Sequence, residues 1–99
     1  MRTPPDRTVN EMLEERRKEL ILLMAGALRH LGVDKHDISV NKRRGVDVFD
    51  PDTAVFLVKA DTTPVLSPED VSFIATSLKN MRYHVKRIEH RGERLLLFV

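Results

Sequence analysis

Apolar side chains recur at intervals of three and four from Val9 through Met12, Leu13, Leu20, Leu23, Met24, Ala27 and Leu28 to Leu31, with Arg16 in the one gap. That spacing predicts an amphipathic helix. Thr8 and Glu11 stand at capping-box separation, and Gly32 is placed to close the helix in the left-handed conformation. The helix is therefore expected over 8–31, on the order of 35 Å long. Residues 1–7, with Pro4, Pro5 and the charged Arg2, Asp6 and Arg7, read as a flexible lead. The two halves of the helix differ. Residues 14–19 are charged throughout, whereas Ile21 and Leu22 widen the apolar surface beyond one stripe, which predicts burial on two sides or contact with a second copy.

Further along, the period changes. Ile38 and Val40 alternate with Ser39 and Asn41, as in a strand with one buried face. Asn41-Lys42-Arg43-Arg44-Gly45 is a turn-forming loop with three adjacent cations, Val46–Phe49 is a second expected strand, and Asp50-Pro51-Asp52-Thr53 is a turn by composition. Ala54–Ala60 is mostly apolar, which predicts a central strand buried on both faces. Ser67 can cap a second helix, with Pro68 in its first turn and Glu69 and Asp70 at the positive end of its dipole. Val71, Ile74, Ala75 and Leu78 supply that helix with a core face. Tyr83–Glu89 and Leu95–Val99 are two final expected strands. The order helix, three strands, helix, two strands predicts an α/β (α+β) domain over 8–99, with a mixed β-sheet flanked by helices.

Composition narrows the function. Ninety-nine residues predict one small core and leave no room for a separate substrate domain. The absence of cysteine excludes disulfides, thiolate metal sites and a cysteine nucleophile, and fits a reducing compartment. The longest apolar run, Leu20–Leu28, is well short of the roughly 20 residues a membrane span requires. These features predict a soluble protein of the cytoplasm, or of a host's cytoplasm for a viral chain, with no membrane partner. The net charge of +2 conceals a division: residues 1–46 carry 10 basic and 7 acidic side chains, 47–70 carry 1 and 6, and 71–99 carry 6 and 2.

The segment from Arg44 to Ile88 presents Gly45-Val46-Asp47, a turn, a strand through Leu57-Val58-Lys59, then Leu66-Ser67-Pro68-Glu69-Asp70, a helix, and Tyr83-His84-Val85. It resembles the restriction-endonuclease-like nuclease superfamily, particularly its small virus-type replication-repair nuclease domains and Holliday-junction resolvases. In that family a Pro-Asp and a Glu-x-Lys on adjacent strands hold a divalent metal and position the attacking water. The resemblance implies Mg²⁺ as cofactor, with Asp47 at the aspartate position and Lys59 at the lysine position. Val46 stands where the family has proline, and Leu57 where it has the second metal-binding acid. Leucine cannot bind magnesium, so Asp61, on the same strand face as residues 57 and 59, is the first candidate for the missing oxygen. Glu69 and Asp70, then Glu15 or Glu19 of the first helix, are the others. The resemblance also implies a DNA endonuclease working as a homodimer.

Lys42, Arg43 and Arg44 would sit at the rim of that site, where cations bind backbone phosphates with or without cleavage. Lys86 and Arg87 belong to a second basic group, which strand parity splits between two faces. The four histidines include no His-x-x-x-His pair, and the Ser-His-Asp and phosphate-loop patterns are absent. Two function classes follow. One is a small nucleic-acid-binding domain, for DNA or RNA, with a nuclease-like fold. The alternative is a non-catalytic interaction or assembly module, a viral or regulatory subunit associating through the helix over 8–31.

Overall fold

The computed structural model describes residues 5–99. Helix α1 spans Pro5–His30, so Thr8 lies inside it and does not cap it, and residues 5–7 of the expected lead are helical; residues 1–4 of that lead lie outside the described residues. Proline suits a helix's first turn because its missing N–H would have no intrahelical acceptor there. Most of the expected apolar stripe is buried: Leu13, Leu20, Met24, Ala27 and Leu28 lie in the core, whereas Met12, also on the expected stripe, is 42% exposed. The helix ends as Gly32 predicts, with φ at +74°. The Val33 N–H donates to the Leu28 carbonyl at 3.1 Å and the Gly32 N–H to that of Arg29 at 3.0 Å, the paired bonds of a Schellman cap.

Strand β1 (Lys35–Lys42) and strand β2 (Phe56–Thr63) follow, then helix α2 (Pro68–Asn80), strand β3 (Arg87–Arg91) and strand β4 (Arg94–Phe98). Ser67 caps α2 as expected: its hydroxyl accepts from the Asp70 N–H at 3.1 Å, and the Asp70 carboxylate accepts from the Ser67 N–H at 3.0 Å. The architecture is α+β, with both helices against a four-stranded sheet ordered β1-β2-β4-β3.

Three sequence expectations are corrected. The sheet is antiparallel throughout and not mixed. β2 and β3 do run the same way across α2, but β4 lies between them. The Gly92-Glu93 turn, with Gly92 at φ +55°, makes β3 and β4 a tight hairpin. Arg94-Leu95-Leu96-Leu97-Phe98 takes the inner position, and charged Arg87-Ile88-Glu89-His90-Arg91 takes the edge, where charge discourages further pairing. Second, Val46–Phe49 is not a strand but part of a loop, 43–55. There the Asp47 carboxylate accepts from the Phe49 N–H and that of Asp50 from the Asp52 N–H, both at 2.9 Å. Such local bonds divert N–H groups that a strand would give to its neighbour. Third, β2 is covered on one face only. Phe56, Val58, Ala60 and Thr62 are buried, whereas Leu57, Lys59 and Asp61 are half-exposed.

One cluster explains that alternation. Leu20, Met24 and Leu28 of α1, with Val71, Ile74 and Leu78 of α2, pack on Val40, Val58, Ala60, Leu95 and Leu97. Those sheet residues share one parity, so both helices lie on one face. The opposite face has no covering layer among the described residues. No helix there is long and apolar enough to cross a membrane.

Candidate nucleic-acid interface

The strand register lays the uncovered face out as three rows. Asn41, Leu57, Phe98 and Arg87 form the first; Ser39, Lys59, Leu96 and Glu89 the second; Asp37, Asp61, Arg94 and Arg91 the third. Leu57, Leu96 and Phe98 thus make a short apolar strip with charge around it. In the third row the Arg94 guanidinium donates to Asp61 at 2.9 and 3.3 Å. That hydrogen bond, with the arginine's charge, holds the Asp61 carboxyl below its ordinary range.

The first row ends in an aromatic ring between two arginines. The guanidinium carbon of Arg43 lies 5.3 Å from the centroid of Phe98, over its ring, and that of Arg87 lies 5.5 Å from it. Both distances fall within the range of cation–π attraction. Arg87 also reaches Glu89 at 3.4 Å. Beside the ring is an open cavity of about 310 Å³ whose lining includes Arg43, Lys86, Arg87 and Phe98, with Asp52 the one acid.

Loop 43–55 is fastened at this end. Arg43 donates to the Ala54 carbonyl at 3.1 Å, and Lys86 Nζ donates to that of Pro51 at 2.8 Å. Asp50 accepts from the Asp52 N–H and, at 2.9 Å, from the Thr53 hydroxyl. Those bonds, led by the backbone one, lower its pKa. Phe49 is 74% exposed on the same loop, a large aromatic that packing does not require there.

The structure redistributes the residues the sequence singles out. It brings together Arg43, Lys86 and Arg87, which lie in separate segments of the chain. It splits the Lys42-Arg43-Arg44 run: Lys42 opposes Phe56 on the helix side, beside Arg17 and Glu14, whereas Arg43 covers Phe98. Arg44 is exposed in the turn before Gly45. Lys59 and Asp61 share the open face, as alternation requires, but Asp61 is bound by Arg94. Asp47 lies in the loop that leaves the sheet beyond Phe56. Asp61 stands five residues further up β2, on the order of 17 Å at about 3.3 Å per residue.

The other acids face elsewhere. Asp70 is engaged by the α2 cap, Glu69 is exposed beside it, Glu15 is exposed on α1, and Glu19 bonds the Tyr83 side chain. Among the described residues no three acidic or histidine side chains converge, and Asp61, the first candidate to replace the acid missing at Leu57, is engaged by Arg94. Ile21 is half-buried against the core and Leu22 is 73% exposed.

No family model, curated protein or solved structure matches the chain. Phe98 is the residue that sequence reasoning missed. Leu95-Leu96-Leu97-Phe98-Val99 reads as uniformly apolar, and its only signal was parity: Leu96 and Phe98 alternate with the two leucines that enter the core.

Proposed function

We propose that the protein binds single-stranded nucleic acid on its uncovered sheet face. The observation that carries this reading is Phe98 with Arg43 and Arg87 over its ring, beside a cavity that Lys86 also lines. The ring and the guanidinium planes over it offer a base flat groups to stack on, and the same cations attract the phosphates; together they are the two parts that non-sequence-specific strand binding needs. The half-exposed Leu57 and Leu96 extend the platform, and Arg91 continues the positive charge along β3, Arg94 being paired with Asp61. A cytoplasmic location, where such strands occur and a cysteine-free chain has no disulfide to maintain, accords with this role.

The test is fluorescence anisotropy with labelled oligothymidylate and oligouridylate over a salt series. Wild-type binding should fall steeply with salt, by about 0.7 in log–log slope for each phosphate contacted. Phe98→Leu keeps the apolar contacts of the strip and removes the ring; it should weaken binding by about 1–3 kcal/mol, the worth of one base–aromatic stack. Salt-independent binding, or a Phe98→Leu protein that binds as wild type, would overturn the proposal. The second reading, an assembly module that forms a homodimer through Ile21 and Leu22, draws its support from the exposure of Leu22. A sedimentation measurement in which Leu22→Glu leaves the mass unchanged removes it.

A further inference from the structure

We infer that the bound strand does not stop at Phe98 but turns over the end of the sheet into a second station at Tyr83, on the helix side. This inference rests on the binding role proposed for Phe98. A second open cavity, of about 160 Å³, lies there; Arg16, Arg82, Tyr83, His84 and Lys86 are among its lining residues. Lys86 and Thr53 line both cavities, so the two are contiguous around one edge. Lys86 stands where they meet, and its Nζ is fixed at 2.8 Å on the Pro51 carbonyl.

Charge and chemistry are alike on the two sides. Each cavity has an aromatic ring in its wall, and in each lining the Arg and Lys side chains outnumber the acid, Asp52 beside Phe98 and Asp50 beside Tyr83, with Glu19 a further acid at the Tyr83 phenol. The Tyr83 phenol is pushed up to about 12, first by burial and then by its hydrogen bond to Glu19. It is therefore neutral at physiological pH and adds no negative charge to a phosphate path. Arg82 holds a backbone φ of +68°, a conformation uncommon for a residue with a side chain. The turn at Met81-Arg82 sets this arginine in the cavity wall. A flexible polyanion with spaced bases fits two aromatic stations joined by cations. A rigid duplex cannot follow the bend over a sheet end, so the ligand is the single strand.

The geometry makes affinity depend on strand length. A tetranucleotide is expected to occupy the Phe98 station, whereas a dodecanucleotide reaches both. The double variant Arg16→Gln, Arg82→Gly removes two cations of the Tyr83 station. Glycine accepts the positive φ at position 82 more readily than arginine does, so the variant should fold, and a circular dichroism melt checks this. Anisotropy with oligothymidylates and oligouridylates of both lengths is the measurement. The dodecanucleotide should lose about tenfold in affinity and about 1.4 in salt slope, the value for two phosphate contacts on a single strand, with a much smaller loss for the tetranucleotide. Equal loss at both lengths, or none at either, overturns the second station while leaving binding at Phe98 standing. If wild-type protein binds neither length, the binding role itself falls.

Discussion

Strand β4 places two chemically similar pairs in opposite surroundings. Leu95 and Leu97 are 1% and 0% exposed beneath the helices, while Leu96 and Phe98, one residue along in each case, are half-exposed on the far side. The same contrast runs through β2, where Val58 and Ala60 are buried and Leu57 and Lys59 are not. Residue type does not separate the two faces; cover does. The helix side satisfies its apolar atoms with other apolar atoms, whereas on the far side two guanidinium groups lie over Phe98. A surface of that kind suits the charged, flat-ringed ligand proposed for it.

The contrast can be broken most directly by truncating neighbours. Leu97→Ala should cost about 2–5 kcal/mol, as buried leucine truncations do. Leu96→Ala has water to fill its space and should cost less than about 1.5 kcal/mol, since only part of its apolar area is recovered from solvent. Urea unfolding of both proteins decides the matter. Equal losses would mean that something covers the far face, and its reading as a binding surface would fail.

A polar residue on the dry side sharpens the same comparison. Thr62 is 2% exposed, and its hydroxyl has no hydrogen-bond partner. Buried unpaired hydroxyl groups destabilise, so Thr62→Val should raise stability by about 1 kcal/mol. The equivalent change on the open side, Ser39→Val, removes a hydroxyl that is partly exposed to water and should give no gain. A Thr62→Val protein less stable than wild type would show that the hydroxyl has a partner in solution.

How much of this was legible in the sequence depended on whether a feature is local. The Gly32 cap and the Ser67 cap rest on spacings of three to five residues and formed as expected, as did most of the α1 stripe, whereas the Thr8 cap did not because the helix begins at Pro5. The loop at 43–55 was misjudged because Val46-Asp47-Val48-Phe49 alternates like a strand, while Asp47 and Asp50 bond their own backbone instead. The burial of β2 on one face and the central place of β4 depend on pairings across more than thirty residues, such as Lys59 with Leu96, which no local pattern encodes. For the same reason the basic run 42–44 could be seen but not its division between faces, and Arg43 could not be joined to Arg87 or Phe98. Asp61, ranked first because alternation puts it on one face with residues 57 and 59, does lie on that face, but its engagement by Arg94 is a contact across 33 residues that no local pattern encodes.

The smallest expected effect lies at the quiet end of the open face. Asp61 is held below its ordinary value of 3.8 chiefly by the hydrogen bond from Arg94. A carboxyl whose folded pKa is lowered stabilises the fold above its unfolded value and loses that contribution as pH falls through the lowered one. The contribution of Asp61 is therefore complete above about pH 4 and disappears only in more acidic solution. Because the pair is exposed, solvent and salt screen it, and the change in stability should be slight. The carboxyl resonance is the sensitive readout: in wild-type protein Asp61 should titrate below 3.8, and in Arg94→Ala it should move back up toward that value. No movement would mean that the Asp61–Arg94 pair does not persist in solution. Arg94 would then be as free as Arg91 to meet a phosphate, and the open face would be more strongly cationic than its paired arrangement implies.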